Sequence, residues 1–439
     1  MPNLPKGSKK LLNAWAFYDW ANSVYSLVIA SAIFPIYYQA LFKSADISTV
    51  SILGGNIRST PLISYTTAAA FLLVAFISPL LSGIADYVGN KKNFMKFFCY
   101  LGALSCIGLY FFSIENIEIS LLFYFFGLIG FWGSLVFYNS YLPDVAFPEQ
   151  QDRVSARGYS FGYIGSVVLL IFNLAMVMKP EVFGFGEGGE ASMKAMRWSF
   201  VSVGIWWILF SQYSFYFLPK GNKSGKKVST KILLNGFREL KSVYNSLSEN
   251  IQLKRYLAAF FVYSMAVQTV MLVATYFGEQ EIAWGGDDAK TIGLIVSILI
   301  IQLVAVGGAV LTSRASEKFG NIPVLVVINI IWVCICVVAF FIESPIQFYI
   351  TAGIVGLVMG GIQSLSRSTY SKFLPETKDT TSYFSFYDVA EKIGIVIGML
   401  IYGFIDQITG SMRNSILFLV LFFVTGVFLL LRVPRNKTN

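Results

Sequence analysis

Histidine is absent from this chain of 439 residues. Imidazole metal sites, histidine general bases and histidine proton relays are therefore excluded, and any proton chemistry falls to carboxylates. Charge is also scarce. Charged residues make up 13% of the chain against 56% hydrophobic, with a mean hydropathy of +0.65, a balance outside that of soluble globular domains. Only four cysteines occur. Cys99, Cys106, Cys334 and Cys336 lie in apolar runs without metal-ligand partners and read as small apolar fillers. The sequence has no G-x-x-x-x-G-K-[ST] loop, no G-x-S-x-G turn, no Cys-x-x-Cys pair and no polar segment large enough for a nucleotide-binding domain. No enzymatic activity, cofactor or metal is expected.

What the chain does have is long apolar runs. Segments able to cross a hydrocarbon core of about 30 Å as helices fall at 13–42, 62–88, 94–114, 119–141, 158–178 and 196–218. Six more fall at 256–278, 291–312, 322–342, 347–366, 383–405 and 414–431. The expectation is an all-α polytopic membrane protein with twelve transmembrane helices in two pseudo-symmetric bundles of six. Residues 1–219 form the first bundle, 220–255 a basic linker and 256–439 the second bundle. The first run, about 30 residues long, carries Asp19 and Asn22, unlike the short uninterrupted core of a signal peptide, and reads as the first span.

Placing the N-terminus in the cytoplasm gives the inner segments about 25 of the 33 basic residues, so both ends are expected there. The net charge of +9 then sets topology and meets anionic lipid, and implies no nucleic-acid partner. In the linker, Leu233, Leu234, Phe237, Leu240 and Val243 are spaced like the apolar face of an interfacial helix.

Two echoes show the chain to be a duplication. Ser82-G-I-A-D-Y-V-G-N-Lys91 and Ser313-R-A-S-E-K-F-G-Asn321, about 230 residues apart, each place an acid three residues before Gly-Asn. Tyr138-N-S-Y-L-P-Asp144 and Tyr370-S-K-F-L-P-Glu376 recur at the same offset. An acid at such a helix end suits the positive N-terminus of a neighbouring helix. Asp86 is expected to face the start of span eleven, near Thr381, and Glu317 the start of span five, from Arg153 to Gly158. These contacts would close the inner side. Gly89 and Gly320 allow the tight turns, and Lys91, Lys92 and Lys318 are placed for helix ends or lipid phosphates. The alternative is a set of solvated loop charges.

Ionisable residues inside spans are costly, about 2.5–3.5 kcal/mol at a helix centre even on the lenient insertion scale. Asp19 lies about 9 Å into the first span, one turn before Asn22 and Ser23 on the same face. Span eleven holds Asp388, Glu391 and Lys392, and Arg367 ends span ten. Two readings stand for these groups: proton transfer or substrate contact, and a structural salt-bridge cluster. Asn139, Asn173, Gln268, Gln302 and Gln363 are expected to face the interior. Tyr25, Trp132, Tyr138, Tyr163, Tyr263 and Tyr387 are candidates to line the same cavity, although most of the chain's aromatics must pack or anchor. The pairs Gly158/Gly162, Gly356/Gly360 and Gly394/Gly398 allow close helix approach.

Twelve spans in two sixes with G-I-A-D-Y-V-G-N-K-K after span two resemble the major facilitator superfamily. The second copy has Arg314 in place of the first glycine and lacks the paired basic residues. Trp15-A-F-Y-D-W-A-N-S-V-Y-S-Leu27, Phe34-P-I-Tyr37, Arg153-V-S-A-R-G-Y-S-F-G-Y-I-Gly165, Gly360-G-I-Q-S-L-S-R-Ser368 and Phe384-x-F-Tyr387 are similar to the vacuole effluxer family. That resemblance implies alternating access about a site near the midplane and, from the family's best-known activity, amino-acid export. The expected protein is a monomeric secondary transporter of a small polar solute, with protons as candidate coupling ion, in a bacterial cytoplasmic membrane. A non-transporting scaffold or receptor that kept the fold is the competing expectation.

Overall fold

The computed structural model describes residues 4–220 apart from 53, residue 238, residues 241–246 and residues 249–434. It is almost wholly helical. The first apolar run forms α1 (Lys9–Val24), a π-helical segment (Tyr25–Ala32) and α2 (Ile33–Ser44), followed by a short hairpin of β1 (Thr49–Ile52) and β2 (Gly55–Arg58). Next come α3 (Ser59–Val88), α4 (Lys91–Gly108), α5 (Ile117–Asn139), the single turn α6 (Leu142–Val145), α7 (Pro148–Met178) and α8 (Gly189–Phe217). The second half contributes α9 (Ile251–Glu281), α10 (Asp287–Phe319), α11 (Asn321–Ala339), α12 (Pro345–Phe373), α13 (Thr380–Thr409) and α14 (Met412–Leu431).

With α1 to α2 taken as one continuous span, eleven helices among the described residues are long and apolar enough to cross a membrane. The remaining long helix, α13, has 30 residues and carries Asp388, Glu391 and Lys392 within it. Each of the twelve predicted runs is thus a helix. Several helices are longer than predicted: α7 has 31 residues, about 46 Å at 1.5 Å per residue, and begins ten residues before its apolar run. The hairpin and the π segment were not predicted. In the π segment Ser31 Oγ donates to Ser26 O at 2.9 Å, in keeping with the wider turn.

Local chemistry sets the helix ends. Gly89 closes α3 at φ 67° and Gly320 separates α10 from α11 at φ 83°, both left-handed values that glycine adopts without a Cβ penalty. Ser344 starts α12 with a capping box to Gln347 and Pro345 in the first turn, satisfying amides that the helix leaves open. Asn250 Oδ1 accepts from the Leu253 amide at 3.0 Å at the start of α9.

Two compact units are present. One comprises Met1–Asn139 and Phe161–Leu233, the other Ser140–Ser160 and Leu234–Asn439. Residues 140–160, which the sequence groups with the first bundle, cluster with the second unit. In the first unit, aromatic pairs fill the core: Phe34 stacks on Tyr124 at 4.6 Å and Trp20 on Trp206 at 5.5 Å. Lys92 donates to the Leu218 carbonyl at 2.6 Å, closing the C-terminal end of α8. In the second unit, Gly356 and Gly360 of α12 lie against the backbone of Ile301 and Ala305, where any Cβ would collide with a carbonyl. That is close helix packing through small residues. Trp332 stacks on Phe423 at 5.5 Å between α11 and α14. Of the expected interfacial helix, Leu233, Leu234, Phe237 and Leu240 lie outside the described residues; Val243 is buried in a helical stretch at 241–246.

Candidate functional site

In the first unit, α1 presents Trp15, Asp19, Asn22 and Ser23 on one face by their spacing of three and four. Asp19 is 4% exposed, and its Oδ2 accepts from the Tyr138 hydroxyl at 2.7 Å. Tyr138, at the end of α5, is itself held: Trp15 Nε1 donates to its carbonyl at 3.0 Å, and the two rings stack at 4.6 Å. A buried carboxylate is costly unless hydrogen-bonded, and a charge-assisted phenol bond is one of the stronger ways to hold it. Ser23 Oγ donates to Asn22 Oδ1 at 3.3 Å, whereas Asn22 Nδ2 is buried without a hydrogen-bond partner among the described residues. Gly162 of α7 packs so closely on α1 that a Cβ there would collide with the Ser23 hydroxyl and press on the Asp19 carbonyl oxygen.

The second unit contains a charged group of its own. Lys392 Nζ bonds to Asp388 Oδ1 at 2.8 Å, one turn away, and to Glu391 Oε2 at 3.3 Å. Gln268 of α9 donates to Glu391 Oε1 at 2.9 Å. The side chains of Lys392 and Asp388 are 1% and 8% exposed, that of Glu391 17%, so Glu391 is the accessible member. Asp388 Oδ2 is buried without a hydrogen-bond partner among the described residues. With all three ionised the group carries −1 −1 +1, one net negative charge. On α9, Tyr263 shares hydrogen bonds with Ser366 Oγ at 2.7 Å and with Tyr256 at 3.2 Å, and Phe260 stacks on Tyr387 of α13 at 4.1 Å.

A third constellation gathers at the end of α10 and the first turns of α7, all within the second unit. Arg153 makes a bidentate contact to Glu317, with Nη2 2.9 and 3.0 Å from the two carboxylate oxygens and Nε at 3.2 Å. The neighbouring Asp152 is 3% exposed. Its Oδ2 accepts from Lys372 Nζ at 2.6 Å and Ser316 Oγ at 2.9 Å, and its Oδ1 from Asn321 Nδ2 at 3.0 Å. Sequence reasoning missed Asp152 and Lys372, because both lie in polar stretches flanking apolar runs. The signal available was an acid directly preceding Arg153, which had already been singled out.

Arg367 does not lie at a helix end; it is buried within α12, which continues to Phe373. Its Nε donates to Ser155 Oγ and its Nη2 to Ser155 O, each at 3.0 Å, and its guanidinium lies 4.2 Å from the Tyr159 ring. Asp86 and Gly89 are partly buried at the end of α3, and Lys91 is buried in the first turn of α4.

The remaining candidates disperse. Tyr25 is 1% exposed and packs against Phe131 at 5.0 Å and Trp207 at 5.9 Å. Asn173 is buried and accepts from Ser202 Oγ at 2.9 Å. Trp132, at 5.7 Å from Phe71, and Asn139, Gln302 and Gln363 are partly buried; Tyr163 is 7% exposed. Among the described residues no group of His, Cys, Asp and Glu is arranged to hold a metal ion.

Twelve long helices among the described residues, with the Asp19 carboxylate hydrogen-bonded inside the first unit and the Asp388, Glu391 and Lys392 charges paired inside the second, are those of an integral membrane protein. The fold is shared with the fucose:proton symporter FucP of E. coli, at a TM-score of 0.66 and 16% identity over 97% of this chain and 98% of that one. The proton:xylose symporter XylE superposes at 0.69 with 12% identity, over 98% of this chain and 96% of that one. Within that fold, this chain belongs to the family described as "Vacuole effluxer Atg22 like", which matches residues 7–439. It is 31% identical over 433 residues to YxiO of Bacillus subtilis (strain 168), named an uncharacterized MFS-type transporter, covering 97% of this chain and 95% of that protein. Autophagy-related protein 22 of Eremothecium gossypii is 26% identical over 418 residues, 85% of this chain and 78% of its own length. These relatives are named as transporters or autophagy-related proteins, and none as an enzyme.

Proposed function

We propose that this chain is a secondary active transporter that carries a small polar solute by alternating access, with amino acids as the first solute class and the proton as coupling ion. The observation that carries the reading is the charged latch at the end of α10: Glu317 on Arg153, and Asp152 on Lys372, Ser316 and Asn321. Ion pairs at helix ends suit contacts that must break and re-form. A static scaffold gains little from the exposed pair, which contributes about 0–1 kcal/mol. The duplicated sequence gives Asp86, Gly89 and Lys91 the matching role in the first half, and Gly320 the turn in the second.

Asp19 with Tyr138, and Glu391 with Lys392, Asp388 and Gln268, are the two groups assigned to hold the proton or the solute. The family's description as effluxers supports the direction, and amino acids as cargo follow from the activity that the sequence resemblance implies. The fold shared with two proton symporters supports the coupling only by analogy. The bias of basic residues supports cytoplasmic termini in a bacterial cytoplasmic membrane, with the monomer as the working unit.

The test is reconstitution in liposomes with counterflow of a broad panel of amino acids and other metabolites, with and without a pH gradient. Flux of at least one solute, accelerated by the gradient, is expected. Absence of counterflow across the whole panel refutes transport and favours the scaffold.

A further inference from the structure

At the start of α9 and the end of α14, two arginines line one cleft, and neither is paired with an acid among the described residues. Arg255, one turn into α9, donates Nη1 to the main-chain oxygen of Arg432 at 2.7 Å. Arg432 caps α14 and lays its guanidinium 4.4 Å from the Phe428 ring. Neither forms an ion pair with any other residue of the described structure. Both line one cleft of about 270 Å³, together with Ala258 and Leu429. Two like charges on one cleft repel unless an anion lies between them, and arginine forks suit phosphate oxygens in particular.

The surroundings narrow the choice of anion. Leu421, Val424, Phe428 and Leu431 are all exposed, and their spacing of three, four and three puts them on one face of α14. That apolar column leads to the cleft. A cationic head above an apolar stripe at the end of a membrane span matches a phospholipid, whose phosphate meets the arginines while its chains follow the helix.

We infer that the Arg255–Arg432 cleft is a binding site for an anionic phospholipid. The site does not depend on what the protein transports. It is tested on the purified full-length protein by native mass spectrometry, titrating phosphatidylglycerol, phosphatidylcholine or inorganic phosphate. Phosphatidylglycerol is expected to be retained in preference to phosphatidylcholine. R255Q/R432Q should weaken it about twenty- to thirty-fold, the effect of removing two interfacial arginines. R255K/R432K, which keeps the charge and loses the fork, should bind more tightly than R255Q/R432Q and more weakly than the wild type, and K254Q, which removes a neighbouring exposed charge outside the cleft, should leave binding unchanged. The inference is overturned if the double Gln variant, with unaltered thermal unfolding, holds the lipid as the wild type does. It is equally overturned if K254Q loses as much, or if phosphatidylcholine is retained equally by the wild type. Displacement of the lipid by an equal concentration of inorganic phosphate would make the cleft a soluble-anion site instead.

Discussion

Asp152→Asn should loosen the latch far more than Glu317→Gln, although the sequence draws the eye to Glu317. The Asp152 carboxylate is 3% exposed, and its partner Lys372 is 23% exposed. One oxygen takes both the ammonium and the Ser316 hydroxyl, the other the Asn321 amide. The substitution keeps the shape but removes the charge and replaces one acceptor by a donor facing Lys372 or Asn321. Breaking a buried ion pair costs about 3–5 kcal/mol. Lys372 can partly rehydrate, so about 2–3 kcal/mol is the reasonable figure, close to that for a charge-assisted hydrogen bond. Arg153 and Glu317 are 67% and 36% exposed, which places their pair at about 0–1 kcal/mol despite its bidentate geometry. At 1.4 kcal/mol per factor of ten, local opening of the first turns of α7 should rise about 30- to 150-fold in Asp152→Asn and about fivefold or less in Glu317→Gln. Hydrogen exchange of peptides covering 148–160 and 313–321 reads this directly, because exchange reports local opening. Equal protection in the two variants, or a larger loss in Glu317→Gln, would refute the argument from burial.

Lys392→Met should lower the thermal unfolding midpoint sharply, since it leaves Asp388 and Glu391 side by side without their cation, at a cost of about 3–5 kcal/mol; a midpoint within one degree of wild type would contradict the pairing. Asp19→Asn should abolish proton-driven accumulation while sparing exchange, and Tyr138→Phe should weaken accumulation while keeping the Trp15 stack. Equal loss of folding and of both activities would make Asp19 structural. Gly360→Val should cost well over the 1–3 kcal/mol of ordinary overpacking, because its side chain meets the Ala305 carbonyl rather than a mobile side chain; normal yield and stability in detergent would show that α10 and α12 have room to part.

The twelve spans were legible because a chain with 56% hydrophobic residues must satisfy its backbone within each helix once water is gone. Their ends were less so. Residues 148–157 precede the apolar run at 158–178, and only the structure shows them all to be the first turns of α7, where Asp152, Arg153 and Ser155 find partners on α10, α11 and α12. Asp19 and the Asp388–Lys392 stretch were legible for a different reason: a charge in an apolar run is expensive and so stands out. Their partners were among the candidates, but the pairing was not legible. Tyr138 was one of six candidate aromatics, and only packing brought its hydroxyl to Asp19. Gln268 lies 123 residues before Glu391, a separation across which no local pattern carries information.

By itself the sequence determined the class, the number of spans, the duplication and the costly residues, all of which follow from one-dimensional periodicity and from the price of charge in hydrocarbon. Tertiary structure alone decided which charges meet. It joined Glu317 to Arg153, buried Asp152 beneath Lys372, drew Arg367 onto Ser155 and Tyr159, and left Arg255 and Arg432 lining one cleft with no acid paired to either among the described residues. The physical reason is that hydrophobicity acts residue by residue along the chain, whereas an ion pair exists only when two distant helices present their side chains within about 4 Å of each other.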